Sequence, residues 1–172
     1  MLLQAINSAF RSDPVTAGPL ALKVHAETFT RPQESHAGAD VYVSLVREDL
    51  ILPRSKGMLI QAKRRTALSK SGEPQRLGAQ CKRMYRRSHA SYVWIYEEHG
   101  ITCGDAPQAS QPLFTRVSNP TTVGELLADG LRCNRGDEGI GRNIALPLHV
   151  GVPKVVRDLA IPHALELDVI NS

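Results

Sequence analysis

Two short apolar runs, each with polar residues at one end, constrain this chain most. Residues 41–46 read Val-Tyr-Val-Ser-Leu-Val and residues 58–63 read Met-Leu-Ile-Gln-Ala-Lys. Both are rich in β-branched and long aliphatic side chains, and Arg47-Glu48-Asp49 between them has turn character, so the stretch reads as two strands. Period-2 geometry then sets Leu59, Gln61 and Lys63 on one face of the second strand and Met58, Ile60 and Ala62 on the other. Asp40 stands at the start of the first strand. If the two strands are neighbours, its carboxylate meets Gln61 and Lys63.

The remaining sequence predicts a small mixed sheet flanked by helices. Residues 2–10 place Leu2, Leu3, Ile6, Ala9 and Phe10 at helical spacing, and Asp13-Pro14 stops that helix. Residues 25–29 suit helix or strand. Residues 75–87 form a helix with Leu77, Cys81, Met84 and Tyr85 on one face and Lys82, Arg83 and Arg86 opposite. Strands follow at 92–96 and 101–103, and a loop fills 104–112. Thr122-Val-Gly-Glu125 has capping-box spacing and opens a helix to about residue 131. A glycine-rich loop spans 136–141, and residues 165–170 alternate like a last strand. With 172 residues and a 42% hydrophobic fraction, the expectation is one domain, with a core at about 30–103 and a C-terminal extension, 104–172, to which no role is assigned.

No run of 18 apolar residues is present, so no membrane span is expected. The N-terminal residues lack a basic region and a long apolar core and match a signal peptide poorly. Cys81, Cys103 and Cys133 are too widely spaced for a zinc pattern or a disulfide framework, so a reducing, cytoplasmic setting is expected. The charge is unevenly distributed. From Arg54 to Arg87 there are eleven Lys and Arg against one acid, Glu73, a net of +10 in a chain of total charge +4, which leaves −6 elsewhere. Such a concentrated field points to a polyanion partner, nucleic acid above all.

The chemistry at Asp40, Gln61 and Lys63 fits that partner. A hard cation such as Mg²⁺ takes oxygen ligands, which the Asp40 carboxylate, the Gln61 side-chain oxygen and a main-chain carbonyl near Ala62 can provide. Lys63 beside a phosphate can steer an attacking water or neutralise developing charge. Glu34 can complete the set from the preceding segment, with His36 a weaker candidate nearby. Arg64, Arg65, Lys82, Arg83, Arg86 and Arg87 are the candidate contacts to a nucleic-acid backbone. The loop at 136–141 lacks the Lys-Ser/Thr of a phosphate-binding P-loop. Tyr92, Trp94 and Tyr96 share a strand face and suit core packing better than base stacking.

The Gly38-Ala39-Asp40 … Gln61-Ala62-Lys63-Arg64 pattern resembles the PD-(D/E)XK nuclease superfamily, in particular the branch with glutamine in place of the second acid, as in Mrr-type restriction endonucleases. The resemblance covers residues 30–100. It implies a restriction-endonuclease-like αβββαβ core in an α/β fold and Mg²⁺-dependent hydrolysis of phosphodiesters, with Mn²⁺ able to substitute. By the match, Asp40 takes the role of the metal-binding aspartate, Gln61 that of the substituted acid, and Lys63 that of the catalytic lysine. Glu34 is similar to the additional acid that many members carry on their first helix. Gln80 and Tyr85 are similar to residues that line the site from the following helix, although their spacing is one longer than the common Gln-x-x-x-Tyr. Ala39 stands where the superfamily's name has proline.

The expected activity is therefore a metal-dependent endonuclease acting on nucleic acid, DNA before RNA, with a partner protein to supply specificity or activation, and with self-association left open. The alternative is a catalytically inactive subunit of the same fold that binds nucleic acid within a larger complex. A protein-interaction module with a basic face is a third class. Taken separately, Asp40 as a turn cap, Gln61 as an edge-strand polar residue and Lys63 as the start of a solvated basic run are each ordinary.

Overall fold

The computed structural model describes residues 15–17, 19–28, 37–111, 114 and 116–171. The helix expected at 2–10 lies outside these. Eight strands form one mixed sheet: β1 (Val15–Ala17), β2 (Leu20–Thr28), β3 (Val41–Arg47), β4 (Arg54–Arg64), β5 (Ser91–Glu97), β6 (Gly100–Asp105), β7 (Thr121–Thr122) and β8 (His163–Asn171). Their order across the sheet is β1-β2-β8-β3-β4-β5-β6-β7. Among the described residues the sheet is accompanied by four α-helices, α1 (Glu73–Arg87), α2 (Ala106–Ala109), α3 (Val123–Leu131) and α4 (Leu148–Leu159), and by two short 3-10 helices, Arg65–Ser69 and Glu138–Ile140. This is an α/β architecture with helices on both sheet faces.

The two runs that dominate the sequence are neighbours. β3 and β4 pair antiparallel from Val41↔Ile60 to Arg47↔Arg54. β4 starts at Arg54 rather than Met58, because pairing with β3 carries the ladder through Arg54, Ser55, Lys56 and Gly57, which have little strand signal of their own. β4 and β5 run parallel, from Leu59↔Ser91 to Arg64↔Tyr96, and α1 makes the crossover that parallel strands require.

Alternation along β4 divides the core as expected. Leu59 joins Tyr42, Val93, Ile95 and Ala164 under α1 and α4, where Leu77, Cys81, Met84, Val152 and Val156 pack. Met58 and Ile60 join Val43, Leu45, Tyr92, Trp94 and Leu165 on the other face, against Leu126 of α3. Trp94 is fully buried and Tyr92 nearly so, which makes them core residues. The exposed face of α1 carries Lys82, Arg83, Arg86 and Arg87. Tyr85 departs from expectation. It is 40% exposed, one residue round the helix from buried Met84, and it stacks on His89 instead of entering the core.

Residues 25–28 are strand, as part of β2, which pairs along its whole length with β8. β8 also pairs parallel with β3, so this strand lies inside the sheet, and Leu126, Val152, Val156 and Leu165 of the C-terminal extension belong to the same core. α3 begins with the expected capping box: the Glu125 N–H donates to Thr122 Oγ1 (3.1 Å) and the Thr122 N–H to Glu125 Oε2 (2.7 Å). α4 was not legible, because Gly151 and an interior Pro153 disguise it. It lies on the sheet through Val152 and Val156. Among the described residues no helix is long and apolar enough to cross a membrane.

Beneath the loop after residue 141, Arg142 donates through Nε to Glu166 Oε2 at 2.8 Å, with both side chains 4% exposed. Asp168, two residues on, has a buried Oδ1 without a hydrogen-bond partner. Desolvation first, and then the charges of Glu48 and Glu166, push its carboxyl up to about 6 from 3.8. Its folded pKa exceeds its unfolded one, so the stability it contributes is fully present below pH 3.8 and is lost as the pH rises through 6. Asp168→Asn removes that loss. Urea denaturation at pH 4, 5, 6 and 7 should show the variant gaining on the wild type by about 1 kcal/mol across this range, a figure kept small because the group is only half-buried. A pH-independent difference would refute the assignment.

Candidate metal and nucleic-acid site

The paired register ends at Val41↔Ile60. One residue earlier the Asp40 N–H also donates to the Ile60 carbonyl, at 2.8 Å, which holds Asp40 against the end of β4 just outside the regular ladder. Asp40 Oδ2 accepts from the Ala62 N–H at 3.0 Å and from Gln61 Nε2. Gln61 is 1% exposed, and its Oε1 has no hydrogen-bond partner among the described residues.

The turn that delivers Asp40 is held by close packing. Gly38 has φ +78°, and a Cβ there would lie 2.6 Å from the Gln80 carbonyl oxygen on α1. Only glycine combines that conformation with that approach. Ala37 and Ala39 on either side are buried. Gln80 is thus brought against the Asp40 turn, and its Oε1 is a second buried amide oxygen without a partner.

Lys63 continues the same strand face. Its Nζ lies 3.2 Å from Oε2 of Glu73, the first residue of α1, and both side chains are largely covered. Hydrogen bonding to Lys63, then its charge, hold the Glu73 carboxyl below its usual value. The Lys63 charge also reaches Cys81, whose thiol burial pushes up to about 12. Lys63 therefore sits between the sheet and α1, with its ammonium fixed by Glu73. A cavity of about 640 Å³ opens beside it, lined by Ala62, Lys63, Arg64, Tyr96 and Glu97 among others.

Burial raises the Asp40 carboxyl above its ordinary value, and the Ala62 N–H, Lys63, His163 and Gln61 oppose the rise. His163 opens β8 next to Val41 in the parallel ladder. Desolvation lowers its pKa, Asp40 works against that, and its Nδ1 is buried without a partner. Neither Glu73 nor His163 was singled out from the sequence. Glu73 left a signal as the lone acid of the basic segment; His163 left none, since it reaches Asp40 only through the pairing of β8.

Among the described residues no three His, Cys, Asp or Glu side chains gather as a metal-ligand set. Glu34 and His36 lie outside the described residues. The groups that do gather fit a hard cation nonetheless: the Asp40 carboxylate, the Gln61 Oε1, which has no hydrogen-bond partner among the described residues, and the Ala62 carbonyl, 3.3 Å from Gln61 Nε2. An amide suits this position in both states. Its N–H₂ satisfies Asp40 when no cation is present, and a half-turn offers its oxygen when one is.

The basic residues divide into two groups. Arg64 is exposed next to Lys63, and Arg65 is half-buried, 3.9 Å from Glu97. Arg86 and Arg87 end α1, whose 15 residues span about 20 Å, so they lie at the opposite end of the helix from the Lys63–Glu73 pair. Tyr85 is there as well, in a second cavity with Lys56 and His89, and not beside Asp40. Lys82 and Arg83 lie between the two ends.

No protein-family model, curated protein or solved structure matches this chain.

The donor set makes Asp40 the one carboxylate at its centre. Asp40→Asn should leave the fold intact, because Asn Oδ1 can still accept from Ala62 N–H, while Mn²⁺ binding measured by calorimetry should be lost. With its carboxyl raised by burial, wild-type affinity should start to fall on acidification at a pH above the ordinary carboxylate value, as protons compete for Asp40. Unchanged Mn²⁺ affinity in Asp40→Asn would place the cation elsewhere.

Proposed function

We propose that this chain is a Mg²⁺-dependent nuclease of the PD-(D/E)XK type, in the branch with glutamine as the second ligand, acting on phosphodiester bonds of nucleic acid, DNA first. The observation that carries the reading is the convergence of Asp40, Gln61 and Lys63 at one end of the β3–β4 pair, on the face covered by α1. The chain order β2-β3-β4-α1-β5 is compatible with the βββαβ part of the expected core, although β8 lies between β2 and β3 in the sheet. The initial helix of that core would fall outside the described residues.

In this reading Asp40, Gln61 Oε1 and the Ala62 carbonyl hold the cation. When bound, Mg²⁺ adds positive charge at the scissile phosphate and makes water a better nucleophile. The protein's own groups do the rest. Lys63, paired with Glu73, also borders the open cavity, and a phosphate entering beside Arg64 comes within the field of that ammonium. Its charge is then positioned for the negative charge that grows on the phosphoryl oxygens. Glu73 fixes the ammonium beforehand, which limits the reorganisation needed during the reaction. Arg64 supplies exposed charge for the neighbouring phosphate.

A second reading is a nuclease-fold subunit that binds nucleic acid without cutting it, within a larger complex. It is favoured by the single carboxylate among the three candidate donors, since an amide binds a divalent cation less strongly than a carboxylate.

Cleavage rates of variants separate these readings. Lys63→Ala should reduce Mg²⁺-dependent cleavage by on the order of 10²–10³ with little change in nucleic-acid affinity. Gln61→Glu should retain or increase the rate, because it restores a full charge at the same place. Near-normal turnover by Lys63→Ala would remove the residue from the mechanism.

A further inference from the structure

At the C-terminal end of α1 is a second cavity, of about 490 Å³, which the cleavage chemistry does not use. On its wall the Tyr85 and His89 rings are stacked, with centroids 4.5 Å apart and planes at 15°. Tyr85 is 40% exposed, so this stack is open to solvent on the surface of a basic helix. Arg86 and Arg87 adjoin it, and neither lies within ion-pairing distance of an acid among the described residues. Two acids, Asp137 and Glu138, also line the cavity. Asp137 accepts from Ser88 Oγ at 2.6 Å and from the Gly139 N–H at 2.8 Å, and Glu138 lies 3.6 Å from Arg54. An open ring stack beside two unpaired guanidiniums is the chemistry that takes an unpaired base and its flanking phosphates.

We propose that this cavity is a second nucleic-acid site, in which an unpaired base extends the Tyr85–His89 stack while Arg86 and Arg87 hold the adjoining phosphates. The proposal rests on the nuclease reading for the position of the scissile bond and names the substrate class it implies. The site lies about 20 Å from Lys63 along α1, so the substrate carries single-stranded nucleotides on the order of six positions from the bond that is cut, at about 3.4 Å per nucleotide. A continuous duplex hides its base faces and cannot use the stack.

The test is fluorescence anisotropy in EDTA, which prevents metal-dependent cutting, with three probes: a labelled 12-nucleotide single strand, the blunt duplex of the same sequence, and a labelled mononucleotide. Tyr85→Ala should weaken single-strand binding on the order of ten-fold and leave duplex binding within about two-fold, while Tyr85→Phe binds like the wild type. Replacing Arg86 and Arg87 together with Ala should flatten the dependence of log K on log salt for the single strand by about 1.4, two contacts at 0.7 each. Circular dichroism of each variant controls for folding. Unchanged single-strand affinity in Tyr85→Ala overturns the proposal. So does equal weakening of both oligonucleotides, which marks a phosphate track without stacking, and so does a mononucleotide that binds as tightly as the strand. Because no probe is cut, Tyr85-dependent binding by a protein that cleaves nothing would retain this site and reject the nuclease reading. Cleavage that is indifferent to Tyr85 would do the reverse.

Discussion

The antiparallel register between β3 and β4 is the constraint on which the site depends. The hydrogen bond from Asp40 N–H to the Ile60 carbonyl holds a charged residue at the end of that ladder, where its carboxylate meets the buried Gln61 amide. A slip of one residue would turn the side chains of one strand to the opposite face and separate Asp40 from Gln61 and Lys63. The register is secured from both sides. Buried apolar residues fill both faces of β3 and of the middle of β4, and the glycine turn at Gly38 fits against α1 with no room for a side chain. Asp40 therefore stays half-desolvated next to an amide whose oxygen has no partner, an arrangement that costs stability unless something polar occupies it.

α1 links the chemistry to the charge. Its first residue, Glu73, pairs with Lys63, and its last turn carries Arg86 and Arg87, so one helix connects the two ends of the sheet. The high positive charge of residues 54–87 is less uniform in space than in sequence. Arg54, Lys63, Arg65 and Arg76 have acidic partners at 3.2–3.9 Å, whereas Arg64, Lys82, Arg83, Arg86 and Arg87 have none among the described residues. The second group defines the surface on which a polyanion gains most, because its approach there displaces no internal ion pair.

Local features were legible in the sequence, and long-range ones were not. The strands at 41–46 and 58–63 could be read because both are short apolar runs bounded by polar turns, the first of them β-branched. The capping box at Thr122 could be read because its hydrogen bonds span three residues. Asp40, Gln61 and Lys63 follow from one hairpin. By contrast, the first residues of β4 take their conformation from β3 and not from their own propensity. β8 enters the sheet next to a strand 120 residues earlier in the chain, and nothing within it marks that partner; the same reason hid His163. Pro153 concealed α4. Tyr85 looked apolar and one step from Met84, but the stripe that enters the core is narrower than its spacing suggested.

The central claim is that these three side chains make a metal-dependent site for phosphodiester hydrolysis. The most direct measurement incubates the full chain with supercoiled plasmid and with a single-stranded circle, in Mg²⁺, in Mn²⁺ and in EDTA, and follows the products by gel. The account predicts conversion to nicked and linear forms in either metal and none in EDTA. Intact substrates in both metals, at protein equimolar with DNA, would contradict it.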